Sequence, residues 1–354
     1  MNRFLIVTSD RSGRFDETTP ADAMFAASPF SLGAIRYNLE KLGWETCYAP
    51  QRTSLHPRRL ARLIDRFKPD IVYTYGGTAA LHPLFCRRWL CRHKAFAVVH
   101  GWDDVYGEVW DDLFGRVPGA FMHWMERQIV RRSDGVVTLS RYNQQRGRAW
   151  GVESVYIPNG ADIPVYDPAA CAIRLEGRFK LVYTGAMERW KRTQDVCGAM
   201  RRLPADIKLY LTGHGSEHMR QYASENCIFL GFVPKNDQLC VMAQADVLVV
   251  TADQDCNAKL QEYLRFNKPI LGYDGRMNLF FANGRNALLT RDYPAAIRRL
   301  AGDPVLCRTL AANAARDIPV HTWLEIARQF HDYFQTLPAA ERPRAAGRTS
   351  SAPT

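Results

Sequence analysis

Residues 245–274 read ADVLVVTADQDCNAKLQEYLRFNKPILGYD, and this stretch decides the fold. The apolar run at 247–250 predicts a buried strand, and a second run, PILGY at 269–273, predicts another. Between them, Leu260 and Leu264 are four positions apart, which indicates a short helix with one buried stripe. A strand, a helix and a second strand in this order are typical of a parallel sheet covered by helices.

The same alternation of short apolar strands and helices runs along the whole chain. It predicts an α/β protein made of two Rossmann-like doubly wound parallel-sheet domains that face a cleft. We expect an N-terminal domain over residues 1–162 and a C-terminal domain over residues 163–320. A last helix at 321–337 can cross back to the first domain, and the Pro/Ala/Ser-rich tail at 338–354 is predicted to be disordered.

Composition is that of a soluble globular protein. The chain has 354 residues, of which 47% are hydrophobic and 23% are charged, enough for two domains with a core each. No apolar stretch reaches the roughly 18 residues that would indicate a membrane span. The first residues, MNRFLIVTSDRSG, predict a strand rather than a secretory signal, so we expect a cytoplasmic protein.

The net charge of +11 is spread over both halves of the chain and comes mostly from arginine. Such a surplus fits an anionic substrate or a membrane surface at least as well as nucleic acid, which is not expected as a partner. RRLARLIDRFK (58–68) and RRWLCRHK (87–94) predict basic amphipathic helices. They are either surface helices of an α/β domain or a means of docking on acidic lipid headgroups at the inner face of the plasma membrane.

The cysteines indicate neither a metal site nor a disulfide framework. There are nine, an odd number, and no two are spaced as a C-x-x-C pair. Cys86, Cys91 and His93 lie close together, but in a helical pattern that favours ordinary buried or exposed side chains over metal ligands. No metal is expected.

Polar and basic residues follow three strands of the second half. LVYTG is followed by Arg189, Lys191 and Arg192, LYLTG by a Gly-His-Gly loop, and VLVVTA by the helix that holds Glu262. The carboxyl ends of parallel strands meet at one edge of a sheet, so these loops should converge. Cations, glycine-permitted backbone N–H groups and a helix N-terminus together predict a phosphate site.

Glu262 needs a separate explanation, because a carboxylate beside a phosphate would repel it. It can accept hydrogen bonds from a pair of sugar hydroxyls, as acidic residues do with ribose in dinucleotide folds. Alternatively it forms a structural surface pair with Lys259, three positions earlier on the same side of the helix. The residue types alone leave both interpretations open.

The string KLQEYLRFNKPI resembles the K-L-x-E-Y-x-x-x-x-K-P-[IV] helix of group 1 (family-four-like) glycosyltransferases of the GT-B fold. VYIPNGAD, LVYTGAMERWKR, LYLTGHG, IFLGFVPKNDQL and ADVLVV follow the order and spacing of that family. The resemblance covers residues from about 95 to 335 well, and the first 90 only in architecture.

By position, the resemblance implies a donor site in the second domain. Glu262 matches the residue that binds the ribose of the nucleotide-sugar donor, and Asp255 takes the place of the glutamate seven residues earlier, near the donor sugar. Lys191 matches the lysine that neutralises the diphosphate, and His100 a histidine that faces the sugar. The catalytic candidates are thus His100, Asp255 and Lys191, and the substrate-binding candidates are Gly33, Gly185, Arg189, Gly213, Gly215, Asn257, Lys259, Leu260 and Glu262.

The chain departs from the family pattern at three places. Asp255 is one methylene shorter than glutamate, and Ala186 stands where family members often carry arginine, for which Arg189 could substitute. In the glycine-rich N-terminal loop, near SPFSLGAIR (28–36), only Gly33 remains.

The implied reaction moves a sugar from a nucleotide diphosphate donor to a hydroxyl acceptor, with retention of configuration. Lys191, Lys259 and the helix N-terminus would stabilise the leaving diphosphate without a metal, and no cofactor beyond the donor is expected. A glycan or lipid-linked acceptor from cell-envelope or polysaccharide synthesis fits the basic surface. The alternatives are a non-catalytic nucleotide-sugar-binding protein and a nucleotide-sugar epimerase of the same fold.

Overall fold

The computed structural model contains two compact units and describes residues 2–8, 14–27, 32–103, 115–215 and 217–337. Unit 1 comprises Met1–Leu139, Asn143–Ile157 and the chain from Ile326 onwards; unit 2 comprises Ser140–Tyr142 and Pro158–Glu325. The predicted disordered tail at 338–354 and residues 28–31 of the predicted N-terminal loop lie outside the described residues.

Unit 1 is built on a six-stranded parallel sheet with the strand order β2-β1-β3-β4-β5-β6. Its strands are β1 (Arg3–Thr8), β2 (Glu45–Ala49), β3 (Ile71–Tyr75), β4 (Ala97–Trp102), β5 (Gly135–Thr138) and β6 (Val155–Tyr156). Its helices are α1 (Ala21–Ala27), α2 (Leu32–Lys41), α3 (Gln51–Ser54), α4 (Pro57–Phe67), α5 (Leu81–Trp89), α6 (Arg116–Arg132) and α7 (Arg141–Ala149), the last of which begins with two residues of unit 2.

Unit 2 contains a second six-stranded parallel sheet, in the order β12-β11-β10-β7-β8-β9. Its strands are β7 (Phe179–Thr184), β8 (Ile207–Thr212), β9 (Cys227–Gly231), β10 (Val247–Val250), β11 (Ile270–Tyr273) and β12 (Leu288–Thr290). Its helices are α8 (Thr193–Met200), α9 (Lys235–Gln244), α10 (Ala258–Leu264), α11 (Tyr293–Gly302) and α12 (Pro304–Asp317). The predicted fold class is confirmed.

Strand β10 explains why an unbroken apolar run forms a strand here. Successive side chains of a strand point to opposite faces of the sheet. Val247 and Val249 pack into the cluster formed with α8 and α11, whereas Leu248 and Val250 pack into the cluster formed with α9 and α10. All four are fully buried, as expected for a parallel sheet covered on both faces.

The strand order of unit 2 reverses between β7 and β10, which are hydrogen-bonded neighbours. From β7 the chain moves outward through β8 to β9, and from β10 it moves outward in the other direction through β11 to β12. Connections diverge at such a switch point and leave a crevice beyond the carboxyl ends of the two strands, where open α/β sheets bind ligands. The loops after β7 and β10 are therefore the first place to look for a site.

The last helix, α13 (Trp323–Thr336), packs into unit 1 from Ile326 onwards. The Phe334 ring lies 5.4 Å from that of Phe4, and the Phe330 ring meets Tyr73 edge-on at 5.5 Å between centroids. Trp44 donates from Nε1 to Nδ1 of His331 at 2.9 Å. Buried aromatic pairs of this kind attach the C-terminal helix to the first sheet.

Of the two predicted amphipathic helices, the first forms as a surface helix of the α/β domain and the second does not form over its whole predicted range. Leu60, Leu63 and Ile64 of α4 are buried in the core of unit 1, so only the arginine face of this helix is available at the surface. The segment 87–94 is not one helix, because α5 ends at Trp89. No helix within the described residues is long and apolar enough to cross a bilayer.

One cysteine pair also departs from expectation, because Cys171 and Cys240 form a disulfide. They are 69 positions apart, and their Cα atoms lie 6.0 Å from each other. Such a pairing depends on how the segment before β7 lies against α9, which cysteine spacing cannot reveal.

Candidate functional site

The loops that follow β7 and β8 are held together by backbone hydrogen bonds. Gly185 donates from its N–H to the Thr212 carbonyl at 2.8 Å, and Met187 donates to the His214 carbonyl at 2.9 Å. Gly213 has a φ of 134°, and a Cβ added there would lie 2.2 Å from the Gly185 carbonyl oxygen. Only glycine combines that backbone conformation with so close an approach. The loops after β7 and β8 therefore converge, as predicted, through direct contacts between their backbones.

Lys259 reaches back from α10 over the end of β7. Its ammonium lies 3.5 Å from the centroid of the Tyr183 ring, and a Cβ added to Gly185 would be 3.3 Å from Lys259 Nζ. Burial, and after it the neighbouring Lys191 ammonium, hold the pKa of Lys259 well below its usual value. The switch point therefore brings two lysines together, and their charges oppose each other.

Lys191 lies on a short 3₁₀ helix (Arg189–Lys191) that is joined to the end of β10. The hydroxyl of Thr251, the residue after β10, donates to the Lys191 carbonyl at 2.5 Å. Lys191 Nζ lies 3.2 Å from a carboxylate oxygen of Glu188, which is exposed. A water-exposed pair of this kind gives little stabilisation, so it does not offset the repulsion between the lysines by much. Arg189 is exposed on the same 3₁₀ helix.

Helix α10 begins after Asn257, whose side-chain oxygen accepts from the Lys259 N–H at 3.3 Å. Leu260 is buried in the core, and its N–H donates to the Asn257 carbonyl, so its side chain serves packing rather than ligand contact. The Tyr263 hydroxyl accepts from the Thr184 N–H at 2.7 Å and fixes the end of β7 just before Gly185. Sequence reasoning missed this role, although Tyr263 is part of the quoted KLQEY string.

Glu262 forms an ion pair with Lys235, at the start of α9, rather than with Lys259. The predicted alternative of a Lys259–Glu262 surface pair is therefore replaced by a contact between two helices. Lys235 was missed because it lies 27 positions before Glu262 and no local pattern relates them.

An aromatic pair stands beside these groups at the ends of β8 and β9. The rings of His214 and Phe232 are stacked at 4.7 Å between centroids, and Phe232 is 71% exposed. Gly213 donates from its N–H to the Gly231 carbonyl at 2.8 Å, which holds the two loops side by side. Gly215 follows His214 with a φ of 79°. An exposed, supported ring offers a flat apolar surface to a planar ligand group.

Asp255 is buried, and both of its carboxylate oxygens accept hydrogen bonds within unit 2. One accepts from the Ser140 hydroxyl at 2.6 Å, and the other from the N–H groups of Arg141 at 2.6 Å and Tyr142 at 3.1 Å. Burial raises the pKa of Asp255, while these hydrogen bonds act in the opposite direction. The residue thus binds the first turn of α7.

Two predicted residues lie in unit 1. His100, on β4, is buried with Nδ1 at 3.1 Å from the Thr74 hydroxyl, and burial lowers its pKa to about 4. Its imidazole is therefore neutral at physiological pH. Gly33 is buried in the first turn of α2. Among the described residues, no three His, Cys, Asp or Glu side chains come together as a metal site.

Comparison with known proteins finds a partial family match and similar folds. Residues 5–160 match a family model described as a glycosyl transferase 4-like domain. Sucrose-phosphate synthase from Thermosynechococcus elongatus has a similar structure (TM-score 0.75, 16% identity), with 96% of this chain and 100% of that chain covered. The structure of HepE from Anabaena in complex with UDP-glucose is also similar (TM-score 0.67, 18% identity), and the match covers 95% of this chain and 100% of the HepE chain. The match to a glycosyltransferase from Rickettsia africae (TM-score 0.66, 11% identity) covers 95% of this chain and 98% of that one.

The chain therefore has the GT-B fold of glycosyltransferases. The predicted resemblance to family-four-like glycosyltransferases is confirmed by the match over residues 5–160. No curated protein sequence matches the chain. The family match over residues 5–160 includes most of the first 90 residues, for which the sequence analysis predicts a resemblance in architecture alone.

The close approach of Gly213 to Gly185 gives a test of the loop geometry. We expect Gly213→Ala to lower the free energy of unfolding of unit 2 by about 3 kcal/mol or more, because a strained φ and a backbone clash add together. Gly284→Ala is the matched control, since Gly284 has a φ of 76° but its added Cβ would meet nothing within 4 Å. Urea unfolding, monitored by hydrogen exchange of the amides of unit 2, measures the loss of stability in each variant. Equal losses for the two variants would contradict the proposed contact.

Proposed function

We propose that the protein is a metal-independent, retaining glycosyltransferase that moves a sugar from a nucleotide diphosphate donor to a hydroxyl acceptor. The observation that carries the proposal is the pair of lysines, Lys191 and Lys259, at the switch point of the second sheet. Two ammonium groups held close together favour the binding of an anion that interacts with both. A donor diphosphate has that chemistry, and it is also the leaving group of the reaction.

The lysines can stabilise the charge that develops on the departing diphosphate. Their positions are fixed before the reaction by the Tyr183 ring and by the Thr251 hydrogen bond, so no reorganisation is needed at the moment of bond breaking. Fixed cations of this kind supply what a divalent metal supplies in other transferases. This is the physical basis for proposing a reaction without a metal.

The rest of the donor extends along the same rim. Glu262 accepts hydrogen bonds from the ribose hydroxyls and exchanges part of its interaction with Lys235 for them. The base stacks on the exposed Phe232 ring, which His214 supports from behind. UDP is the first candidate nucleotide, because it is bound in the structurally similar HepE.

The roles of the remaining candidates follow from their protonation and contacts. A neutral His100 can serve as a hydrogen-bond donor or acceptor but not as a cationic group. Asp255 positions the turn that begins α7, and the three hydrogen bonds that it accepts leave little of its carboxylate for the donor sugar. Retention of anomeric configuration is proposed from the family resemblance, with the acceptor attacking on the face that the diphosphate leaves.

Glycosyl transfer is tested by measuring UDP release from UDP-glucose with lipid-linked and soluble glycan acceptors. We expect acceptor-dependent turnover that persists in excess EDTA. Glu262→Gln should raise the KM for the donor about tenfold to a hundredfold, because it removes a charged acceptor from the ribose. The variant should also lose most of the wild-type preference for UDP over 2′-deoxy-UDP in binding.

Glu153→Gln, at an exposed position in unit 1, is the control and should leave the KM unchanged. Release of an isomeric sugar nucleotide without acceptor would indicate an epimerase instead. Tight UDP binding with no turnover in any acceptor would indicate a binding protein. Unchanged donor kinetics in Glu262→Gln would remove Glu262 from the site.

The lowered pKa of Lys259 predicts a link between donor binding and protonation. A bound diphosphate favours the charged lysine and raises its pKa, so UDP binding should take up protons at pH values above the lowered pKa of free Lys259, and affinity should fall as pH rises through that range. Calorimetric titration in buffers of different ionisation enthalpy measures this uptake. It should disappear in Lys259→Met and persist in the control Lys268→Met. An uptake that is the same in all three proteins would contradict the assignment.

We further propose that the protein associates peripherally with anionic membranes, where a lipid-linked acceptor of cell-envelope or polysaccharide synthesis would be found. The surface that supports this lies on α5 and α6 rather than on α4. Trp89 is 65% exposed, and Trp124 is 57% exposed on a face of α6 that also carries Val117 and Phe121. These three α6 residues are spaced four and three positions apart, so they share one side of the helix.

Basic residues accompany these aromatic side chains. The Arg88 guanidinium lies 5.2 Å from the Trp89 ring, and Arg127 and Arg131 continue the exposed face of α6 beyond Trp124. Tryptophan at the headgroup level and arginine beside acidic lipids are both favourable. The two features together fit an anionic bilayer surface.

Co-sedimentation with phosphatidylcholine vesicles, with and without phosphatidylglycerol, tests this surface. We expect binding that requires phosphatidylglycerol, weakens in salt and falls about tenfold or more in the double variant Trp89→Ser/Trp124→Ser, because two interfacial anchors are lost. Val305→Ser, which alters an exposed apolar residue of unit 2, is the control. Binding that is unaffected by the tryptophan changes but lost in Arg58→Ala/Arg62→Ala would move the surface to α4.

A further inference from the structure

A pocket of about 580 Å³ in unit 2 lies between α8 and the loop that joins β12 to α11. Asp195 and Gly198 line it from α8, three positions apart, and Arg202 lines it from the turn that follows this helix. A Cβ added to Gly198 would find its nearest neighbour only at 3.9 Å, so the absence of a side chain there leaves the pocket open. Neither Lys191 nor Lys259 belongs to its lining, and the proposed donor function does not enter the argument below.

Two arginines of this pocket are held against the same aromatic ring. The guanidinium of Arg192 lies 4.1 Å and that of Arg291 5.5 Å from the centroid of Tyr273. Arg192 also binds Asp195, through Nε at 3.0 Å and a terminal nitrogen at 2.9 Å, and Arg291 donates from Nε to the Asp274 carbonyl at 3.0 Å. A guanidinium has five N–H donors, so these bonds fix both groups without using all of their donors.

A buried hydroxyl adds an independent sign of a ligand. Tyr293, which lines the pocket, is 3% exposed, and its hydroxyl has no hydrogen-bond partner in the described part of the chain. The hydroxyl is close enough to Asp195 and Arg192 for their charges to act on it. An unpaired buried hydroxyl destabilises the protein, and a bound polar group would relieve that cost.

We propose that this pocket is a second ligand site, which takes a small phosphate monoester carried on a polyhydroxyl compound. The fixed Arg192 and Arg291 groups, with Arg202 at the rim, match a phosphate dianion. Asp195 and Asp292 are acceptors for hydroxyl groups, and the Tyr293 hydroxyl can pair with either part. Three guanidinium groups against two carboxylates leave a net positive charge, which favours an anionic ligand over a neutral sugar.

The experiment uses the full chain saturated with UDP, so that a nucleotide occupies the proposed donor site throughout. Isothermal titration with glucose 6-phosphate, inorganic phosphate and glucose compares the complete ligand with its two halves. We expect glucose 6-phosphate to bind more tightly than phosphate, and glucose alone to bind least. Arg202→Ala/Arg291→Ala, which changes two exposed side chains, should weaken glucose 6-phosphate binding about tenfold or more.

Two further variants separate ligand contact from folding. Tyr293→Phe keeps the buried ring and should weaken binding about threefold to tenfold while the protein becomes no less stable, since only an unpaired hydroxyl is removed. Arg308→Ala removes an exposed arginine of α12 outside the pocket and should change nothing. Loss of binding in Lys191→Ala but not in the pocket variants would assign the phosphate to the switch-point lysines and overturn the proposal. So would the absence of glucose 6-phosphate binding in wild-type protein that still binds UDP.

Discussion

The placement of Lys191 and Lys259 at the switch point of the second sheet is the constraint on which the proposed donor site depends. The two lysines stay close because different contacts fix the position of each one. Tyr183 faces the Lys259 ammonium with its ring, Gly185 leaves room beneath it, and Thr251 fixes the backbone of Lys191. Tyr183 and Gly185 lie at the end of β7 and Thr251 follows β10, so the pair exists only when these two strands lie side by side. An anion that contacts both lysines would favour the charged form of Lys259, whose pKa is held down by burial and by Lys191.

Much of this arrangement follows from sequence because it depends on order along the chain. The run VLVV, fully buried on both faces, and the helix after it fix a β10–α10–β11 unit, and parallel sheets bring their loops to one edge. The rim that holds Lys191, Lys259 and the glycines is predictable for that reason. Leu260 shows what a motif cannot predict. It belongs to the KLQEY string that resembles the donor-binding helix, yet its side chain is buried in the core.

What sequence could not reveal are contacts between segments that no local pattern relates. The Lys235–Glu262 pair, the His214–Phe232 stack and the Cys171–Cys240 disulfide each join residues whose distance in the chain says nothing about their distance in space. The same holds for α4, whose amphipathic pattern was correct but whose apolar stripe faces the core. Periodicity predicts that a helix has two faces; packing decides which one remains at the surface.

Burial pushes three of the candidate groups in one direction, towards their neutral forms. It lowers the pKa of His100 and of Lys259 and raises that of Asp255. Three hydrogen bonds oppose the shift at Asp255, and the Thr74 hydroxyl gives His100 a neutral partner, but the second charge near Lys259 is another cation. Lys259 is therefore the group whose charge depends most on what binds. In the proposed reaction, a bound diphosphate would raise the pKa of Lys259, so that binding of the donor would itself favour the charge that stabilises the leaving group.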